Sequence, residues 1–325
     1  MFAEAIENIL RNACTPTCVR RIEAGGSPDA LWQAFAGAGF LELLTPETRG
    51  GAGLPLSELF PILSQFGRYA VPVPIAQAIA ARALVASRAE LPTAPLTLAP
   101  ALTRGAAGGL CCPLVPYGAM ANYVLARDGD RILLLSCADA VRLPTGIAHS
   151  QLATLTWSSG ETAKPIDGPA AALGPLAAAV HAALLAGAMT RVFEMTLQYC
   201  NERSQFGKSL GKFQAVQHQL SVMAEQVAAA SIAAEYAFQT TDPTPRFLPA
   251  AIAKSRTSEA APEVAKTAHA LHGAIGVTDE YDLQLFTRRL HEWRIAHGAE
   301  TFWNRIIGEK ILAVRSSLSE FVREA

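Results

Sequence analysis

Residues 203–208, Arg203-Ser204-Gln205-Phe206-Gly207-Lys208, place two cations, an amide and an aromatic ring in one short turn. Behind the turn, Phe213, Val216, Leu220, Met223 and Val227 recur at steps of three and four, an apolar stripe of helical period. Cations beside the free backbone N–H groups of a helix start suit an anionic phosphate. Phe206 could stack on a planar ring. The plain alternative is a helix–helix turn with solvated charges, and the residue types alone leave both readings open. The glycine-rich loop Arg49-Gly50-Gly51-Ala52-Gly53 reads as a tight connection between helices, since a lone loop of this kind is weak evidence for phosphate binding. The six cysteines contain no C-x-x-C pair. Cys14 and Cys18 could share a helix face, but no further ligands lie at metal spacing, so no metal is expected.

These groups sit in a chain of 325 residues, long enough for two or three domains, half of it hydrophobic. We read no breaker-free apolar run of about 18 residues, hence no transmembrane helix and no membrane partner. The acidic start, MFAEAIENILRNA, does not resemble a secretory leader. With 27 basic and 28 acidic side chains the net charge is −1, which does not suit a nucleic-acid surface. Free thiols and no leader lead us to expect a reducing, cytoplasmic setting.

The expected fold is mainly α with a small β domain. Residues 1–88 read as a helical domain. Ser27 is the expected N-cap and Pro28 the first helical residue of a helix running to Gly39, and a second helix covers Leu56 to Gly67. Residues 89–168 lose the helical period. Asn122 to Ser136 reads as a hairpin about Asp128-Gly129, and Leu152 to Trp157 as another strand. Residues 169–325 read as a bundle of long helices: Leu176–Asn201, Lys212–Thr240, Phe247–Leu271, Asp282–Arg294 and Glu300–Val322. Pro262 is expected to kink or break the third of them.

Arg203, Gln205, Phe206, Gly207, Lys208, Leu210, Phe213, Gln214, His218 and Leu220 together resemble the signature of the acyl-CoA dehydrogenase family. Gly39-Phe40, Pro46-Glu47 and Gly50 to Leu54 resemble its N-terminal pattern. The resemblance implies FAD as cofactor and an N-terminal helical domain, a central β domain and a C-terminal bundle. It also implies that Arg203, Gln205, Phe206 and Gln214 hold the FAD of a neighbouring subunit across an interface. The turn Leu271-His272-Gly273-Ala274-Ile275-Gly276-Val277-Thr278 resembles the family's second flavin-binding turn, which assigns His272, Gly273 and Gly276 to the same cofactor. Ala270, Ala274 and Val277 depart from that pattern, and a helix C-cap is the plain alternative.

Two further departures matter. The family's flavin-ring contacts, Y-x-x-T-E-x-x-x-G-S-D and a W-I-T-N-like stretch, are absent, and Tyr117 alone is an aromatic near the right place. The family removes an α-proton beside a thioester with a glutamate, and His297 occupies that glutamate's place, with Ala296 at the preceding aromatic. The alternative place, on the first bundle helix, holds Ala177 and Ala178. Glu300, nearly a turn later, and His297 itself are the remaining candidates for a base. The favoured expectation is that the chain supplies no base. It then resembles the short subunit of heteromeric α2β2 acyl-CoA dehydrogenases that act on steroid side chains. That implies a full-length partner subunit, an acyl-CoA substrate and an electron-transferring flavoprotein as acceptor. Two alternatives stay open: a homo-oligomer with a relocated base, and a flavin-free helical scaffold.

Overall fold

A computed structural model describes residues 2–85, 91–105, 108–313 and 319. The chain opens with α1 (Phe2–Ala13), α2 (Pro16–Glu23) and α3 (Asp29–Ala36), followed by α4 (Leu59–Arg68) and α5 (Ile75–Ala83). Thr15 caps α2, its hydroxyl accepting from the Cys18 N–H at 3.3 Å. Ser27 does accept from the Asp29 N–H at 3.1 Å, but Pro28 takes the cap position and α3 ends three residues before Gly39. The expected second helix begins as a 3-10 turn, Leu56–Glu58, before α4. In the glycine-rich loop the N–H groups of Gly50, Gly51, Ala52 and Gly53 bond the carbonyls of Glu47, Pro46, Glu42 and Thr45. They hold the loop shut and are not available to a phosphate. The 88/89 boundary falls outside the described residues.

Among the described residues eight strands follow: β1 (Leu96–Ala99), β2 (Thr103–Arg104), β3 (Leu110–Val115), β4 (Tyr123–Asp128), β5 (Arg131–Ser136), β6 (Val141–Pro144), β7 (Ala153–Trp157) and β8 (Lys164–Ile166). They form two four-stranded sheets, ordered β1-β4-β5-β8 and β2-β3-β7-β6, in which only β1 with β4 is parallel. The expected hairpin is β4–β5, displaced by one residue. Asp128 pairs with Arg131, so the turn is Gly129-Asp130, with Gly129 at φ +61°. The first sheet is apolar on both faces. Val124, Leu133 and Leu135 pack with Val115, Leu155 and Trp157 of the second sheet, while Leu125, Ile132 and Leu134 join the helical core. This is the period-two alternation of a sheet covered on each side.

The bundle consists of α6 (Leu173–Glu202), α7 (Gln214–Tyr236), α8 (Phe247–His272), α9 (Leu283–Ile295) and α10 (Glu300–Ala313). The expected extension of α10 to Val322 lies largely outside the described residues. Pro262 does not interrupt α8. A proline removes one helical hydrogen bond, and here packing of α8 against α6, α7, α9 and α10 outweighs that loss. By length and composition the segment Ala170–Glu202 could cross a membrane, contrary to our reading of the sequence, yet 89% of its apolar window is buried inside the bundle. It is the core helix.

Two glycines let α4 and α6 touch backbone to backbone. A Cβ on Gly187 would lie 1.9 Å from the Ser64 carbonyl oxygen, and one on Gly67 would lie 2.1 Å from that of Leu184. Arg68 clamps the same pair of helices with two 2.9 Å bonds to Glu194. Gly187→Ala should therefore destabilise the chain by about 3 kcal/mol, despite alanine's better helix propensity, because the helices must separate. A urea unfolding midpoint measures this. Elsewhere, Glu23 of α2 pairs with Arg288 and Arg289 of α9, each at 2.8 Å, and Glu292 accepts from Arg289 and from the Gln151 N–H. One network thus joins α2, the loop that leads into β7 and the bundle helix α9.

Candidate functional site

The Arg203 turn is a miniature hairpin. β9 (Ser204–Gln205) pairs with β10 (Lys208–Ser209), and Phe206 and Gly207 form the two-residue tip. Both tip residues have positive φ, +51° and +78°, the conformation of a tight hairpin turn. That region suits Gly207 and strains Phe206. The Phe206 ring is also 90% exposed, meeting only the edge of Phe213 at 6.4 Å. Lys208 lies over Phe213 at 4.2 Å. Arg203, Gln205 and Gln214 are exposed, and the Arg203 side chain has no ion-pair partner among the described residues. A strained, solvent-facing aromatic beside a free guanidinium contributes nothing to this chain's own core.

The glycine turn lies beside that hairpin. Tyr199, one turn before Arg203 on α6, stacks on the His272 ring at 4.4 Å and donates its hydroxyl to the His272 carbonyl at 3.3 Å. The His272 side chain is buried, its Nδ1 bonded to the Ala268 carbonyl, so the ring braces the turn from inside rather than facing outward. Gly273 is exposed at φ +64°, with open space where a Cβ would be. Gly276 is buried, and a Cβ there would meet His272, Leu283 and His269. Of the three residues assigned to this turn, Gly273 leaves its backbone open, while His272 and Gly276 shape the turn.

The candidate bases lie elsewhere. His297 edges onto the His181 ring at 4.6 Å. Since 22 residues of α6 separate His181 from Arg203, the two regions are about 30 Å apart along the helix. His297 has φ +56°, and its Nε2 is buried without a partner. Burial, then His181, then Lys254 hold its pKa well below the imidazole range. Burial also pushes His181 down to about 3, aided by Lys254 and opposed by its bond to the Ala177 carbonyl. Lys254 is fully buried, and its Nζ donates to Ser258 Oγ at 2.8 Å, to the Arg294 carbonyl at 2.7 Å and to the Gly298 carbonyl at 2.8 Å. Glu300 is chelated by both arms of Arg294, which hold its carboxyl below the usual range. A carboxylate poised to take a carbon-bound proton needs the opposite shift. Ala177 and Ala178 are buried and apolar. Tyr117 is also buried, with its hydroxyl on the Val71 carbonyl at 3.2 Å, and it is not offered to a ring.

The linked protonation of His181 can be measured. Its folded pKa lies below the free value of 6.5, so its contribution is complete above pH 6.5 and lost as pH falls toward 3. The slope is about 1.4 kcal/mol per pH unit. Between pH 6.5 and 5, His181→Leu should lose about 2 kcal/mol less stability than the parent chain, read from urea midpoints at each pH.

Two family models match the chain: Acyl-CoA dehydrogenase, N-terminal domain, over residues 1–89, and Acyl-CoA dehydrogenase, C-terminal domain, over residues 175–312. This chain belongs to the acyl-CoA dehydrogenase family. Acyl-CoA dehydrogenase IpdE2 of Mycolicibacterium smegmatis is 29% identical over 298 residues, covering 90% of this chain and 91% of that protein. The ChsE4–ChsE5 complex from Mycobacterium tuberculosis contains a chain of the same fold, with TM-score 0.84, 22% identity and 97% of each chain covered. A chain of the Tcur3481–Tcur3483 steroid ACAD has TM-score 0.79 at 26% identity, covering 95% of this chain and 96% of that one.

FAD is the cofactor of acyl-CoA dehydrogenases. The surface at the Arg203 end of α6 fits part of it. Arg203 offers an uncommitted cation, Phe206 an uncovered ring face, and Gly273 a backbone that can be approached closely. The pocket around His297 contains no carboxylate among its described lining residues.

His297 was singled out in the sequence, but nothing there signalled that His181 and Lys254 would join it. The three come from the α9–α10 connection, α6 and α8. For those two the trace was a lysine and a histidine inside otherwise Ala-rich helices.

Proposed function

We propose that this chain is the non-catalytic subunit of a heteromeric, flavin-dependent acyl-CoA dehydrogenase, completing the FAD site of a full-length partner. The observation that carries the reading is the division of labour along α6. At one end, Arg203, Phe206 and Gly273 present an exposed cation, an exposed ring and an open backbone that serve no part of the chain's own core. About 30 Å away, the place of the base holds His297, whose basicity is suppressed, while Glu300 is bound to Arg294.

FAD bound in the assembled enzyme would supply the hydride acceptor for α,β-dehydrogenation. This chain's part would be binding: Arg203 would meet the cofactor's anionic groups, Phe206 would cover a planar ring, Gly273 would admit a close backbone approach, and Gln205 and Gln214 would supply amides. The base for the α-proton would come from the partner. The likeness to the Tcur3481–Tcur3483 steroid ACAD supports a steroid-derived acyl-CoA as substrate, and the likeness to a chain of the ChsE4–ChsE5 complex supports a hetero-oligomer, which we read as α2β2. An electron-transferring flavoprotein in the cytoplasm is the acceptor that the family likeness implies. The near-zero net charge gives no basis for a nucleic-acid partner.

Co-expression with full-length acyl-CoA dehydrogenases of the same genome tests this. The chain purified alone should hold little flavin, and the co-purified complex should be yellow and active. A chain that binds stoichiometric FAD and turns over acyl-CoA alone refutes the reading. A colourless complex refutes it in favour of a scaffold.

A further inference from the structure

The seam where α1, α2, α4, α6 and α9 meet holds a cavity of about 250 Å³, room for a small ligand. Three arginines from three helices line it: Arg11 of α1, Arg68 of α4 and Arg191 of α6. Its floor is apolar, built from Val19, Ala70, Leu285 and Phe286. Asp282 is the one acid among the described lining residues, and Arg20 already neutralises it at 2.7 Å. Ala70 is held at φ +47° although it is not a glycine. Backbone strain of this kind concentrates at ligand sites.

The three cations are not equally committed. Arg68 spends two donors on Glu194, and Arg11 donates to Glu7 at 2.7 Å beside the Tyr69 hydroxyl. Arg191 is exposed and has no ion-pair or hydrogen-bond partner among the described residues. Its guanidinium is a planar fork of donors without a protein acceptor, the group that meets a carboxylate with two parallel bonds. The start of α2 adds positive potential, since Thr15 and Pro16 line the cavity and the first turn of that helix carries no acid. A bare inorganic anion would leave the apolar floor uncovered, and an uncharged molecule would leave Arg191 unused. We propose that this cavity binds a small carboxylate with an apolar body, its charge at Arg191 and its body over the floor. Twelve residues of α6 separate Arg191 from Arg203, about 18 Å, so the site is distinct from the FAD surface and does not depend on the subunit role proposed above.

Because Arg191 supports no other side chain, Arg191→Gln should keep the parent's urea midpoint and lose only the ligand. The test is calorimetric titration of the full chain at low salt with three probes: benzoate, its uncharged counterpart benzyl alcohol, and inorganic phosphate. Benzoate should bind one per chain with a dissociation constant of about 1 mM. Arg191→Gln should weaken it by about tenfold or more. Benzyl alcohol and phosphate should each bind at least about tenfold more weakly than benzoate, the first lacking the charge and the second the apolar body. Arg203→Ala, at the FAD surface, should leave benzoate unchanged. No saturable heat with benzoate overturns the proposal, as does equal affinity for the parent and Arg191→Gln. Benzyl alcohol binding as well as benzoate overturns the anionic assignment, and phosphate doing so overturns the apolar one. Loss of benzoate in Arg203→Ala overturns the placement of the site.

Discussion

Phe206→Asn should make the chain more stable and the assembled enzyme poorer in flavin. Phenylalanine at φ +51° stores about 1 kcal/mol of backbone strain, and its ring is 90% exposed, so its own fold gains little from it. Asparagine tolerates this conformation and creates Asn-Gly, the favoured dipeptide for such a tip. A gain of about 0.5–1 kcal/mol in unfolding free energy is expected from the isolated chain. In the complex with the partner, loss of the ring should weaken FAD by about fivefold. Arg203→Ala belongs to the same experiment. It should leave the chain's stability within about 0.5 kcal/mol and cost about 2 kcal/mol of FAD affinity, roughly thirtyfold, as a charge-assisted contact disappears. Urea midpoints and flavin titration read the two quantities separately. Had these residues served this chain's own fold, stability and flavin retention would fall together.

Lys254→Met should destabilise the chain by about 3 kcal/mol at pH 8, since it strips hydrogen bonds from buried carbonyls of the α9–α10 connection. The penalty should also depend on pH in a definite direction. Burial lowers the Lys254 pKa from 10.5 to about 7, with Glu300 opposing and Arg294 assisting. Its contribution is thus complete above pH 10.5 and lost progressively as pH falls toward 7. The methionine variant lacks this titration, so the gap between the two proteins should widen from pH 7 to pH 9 at about 1.4 kcal/mol per unit. Parallel urea titrations at the two pH values check it, and a gap that narrows with pH contradicts the assignment.

How much was legible follows from how local each feature is. The hairpin at Arg203 lies within one contiguous stretch, and its residue types carried both its chemistry and its family likeness. The strain at Phe206 was not legible, because phenylalanine is a poor choice for that conformation by any local rule. The β4–β5 turn was off by one because Asp128 pairs across the ladder with Arg131 and with Arg104 from another strand. The break that Pro262 allowed for does not occur, because a local helix-breaking signal yields to packing on several sides of α8. The assignment of His272 as a cofactor contact followed a motif, and only three-dimensional packing reveals that its ring is braced by Tyr199. The His181–His297–Lys254 cluster and the cavity at Arg191 join distant segments, and no periodicity carries such information.

The single rod of α6 couples the hairpin's aim to residue count. Each residue added between Met189 and Tyr199 would turn the Arg203 hairpin by about 100° about the axis and carry it about 1.5 Å onward. The helix start at Leu173 and the imidazole at His181 would stay where they are. Insertions or deletions in that stretch should therefore survive only in steps near seven residues, two turns, after which the phenyl ring again faces its client.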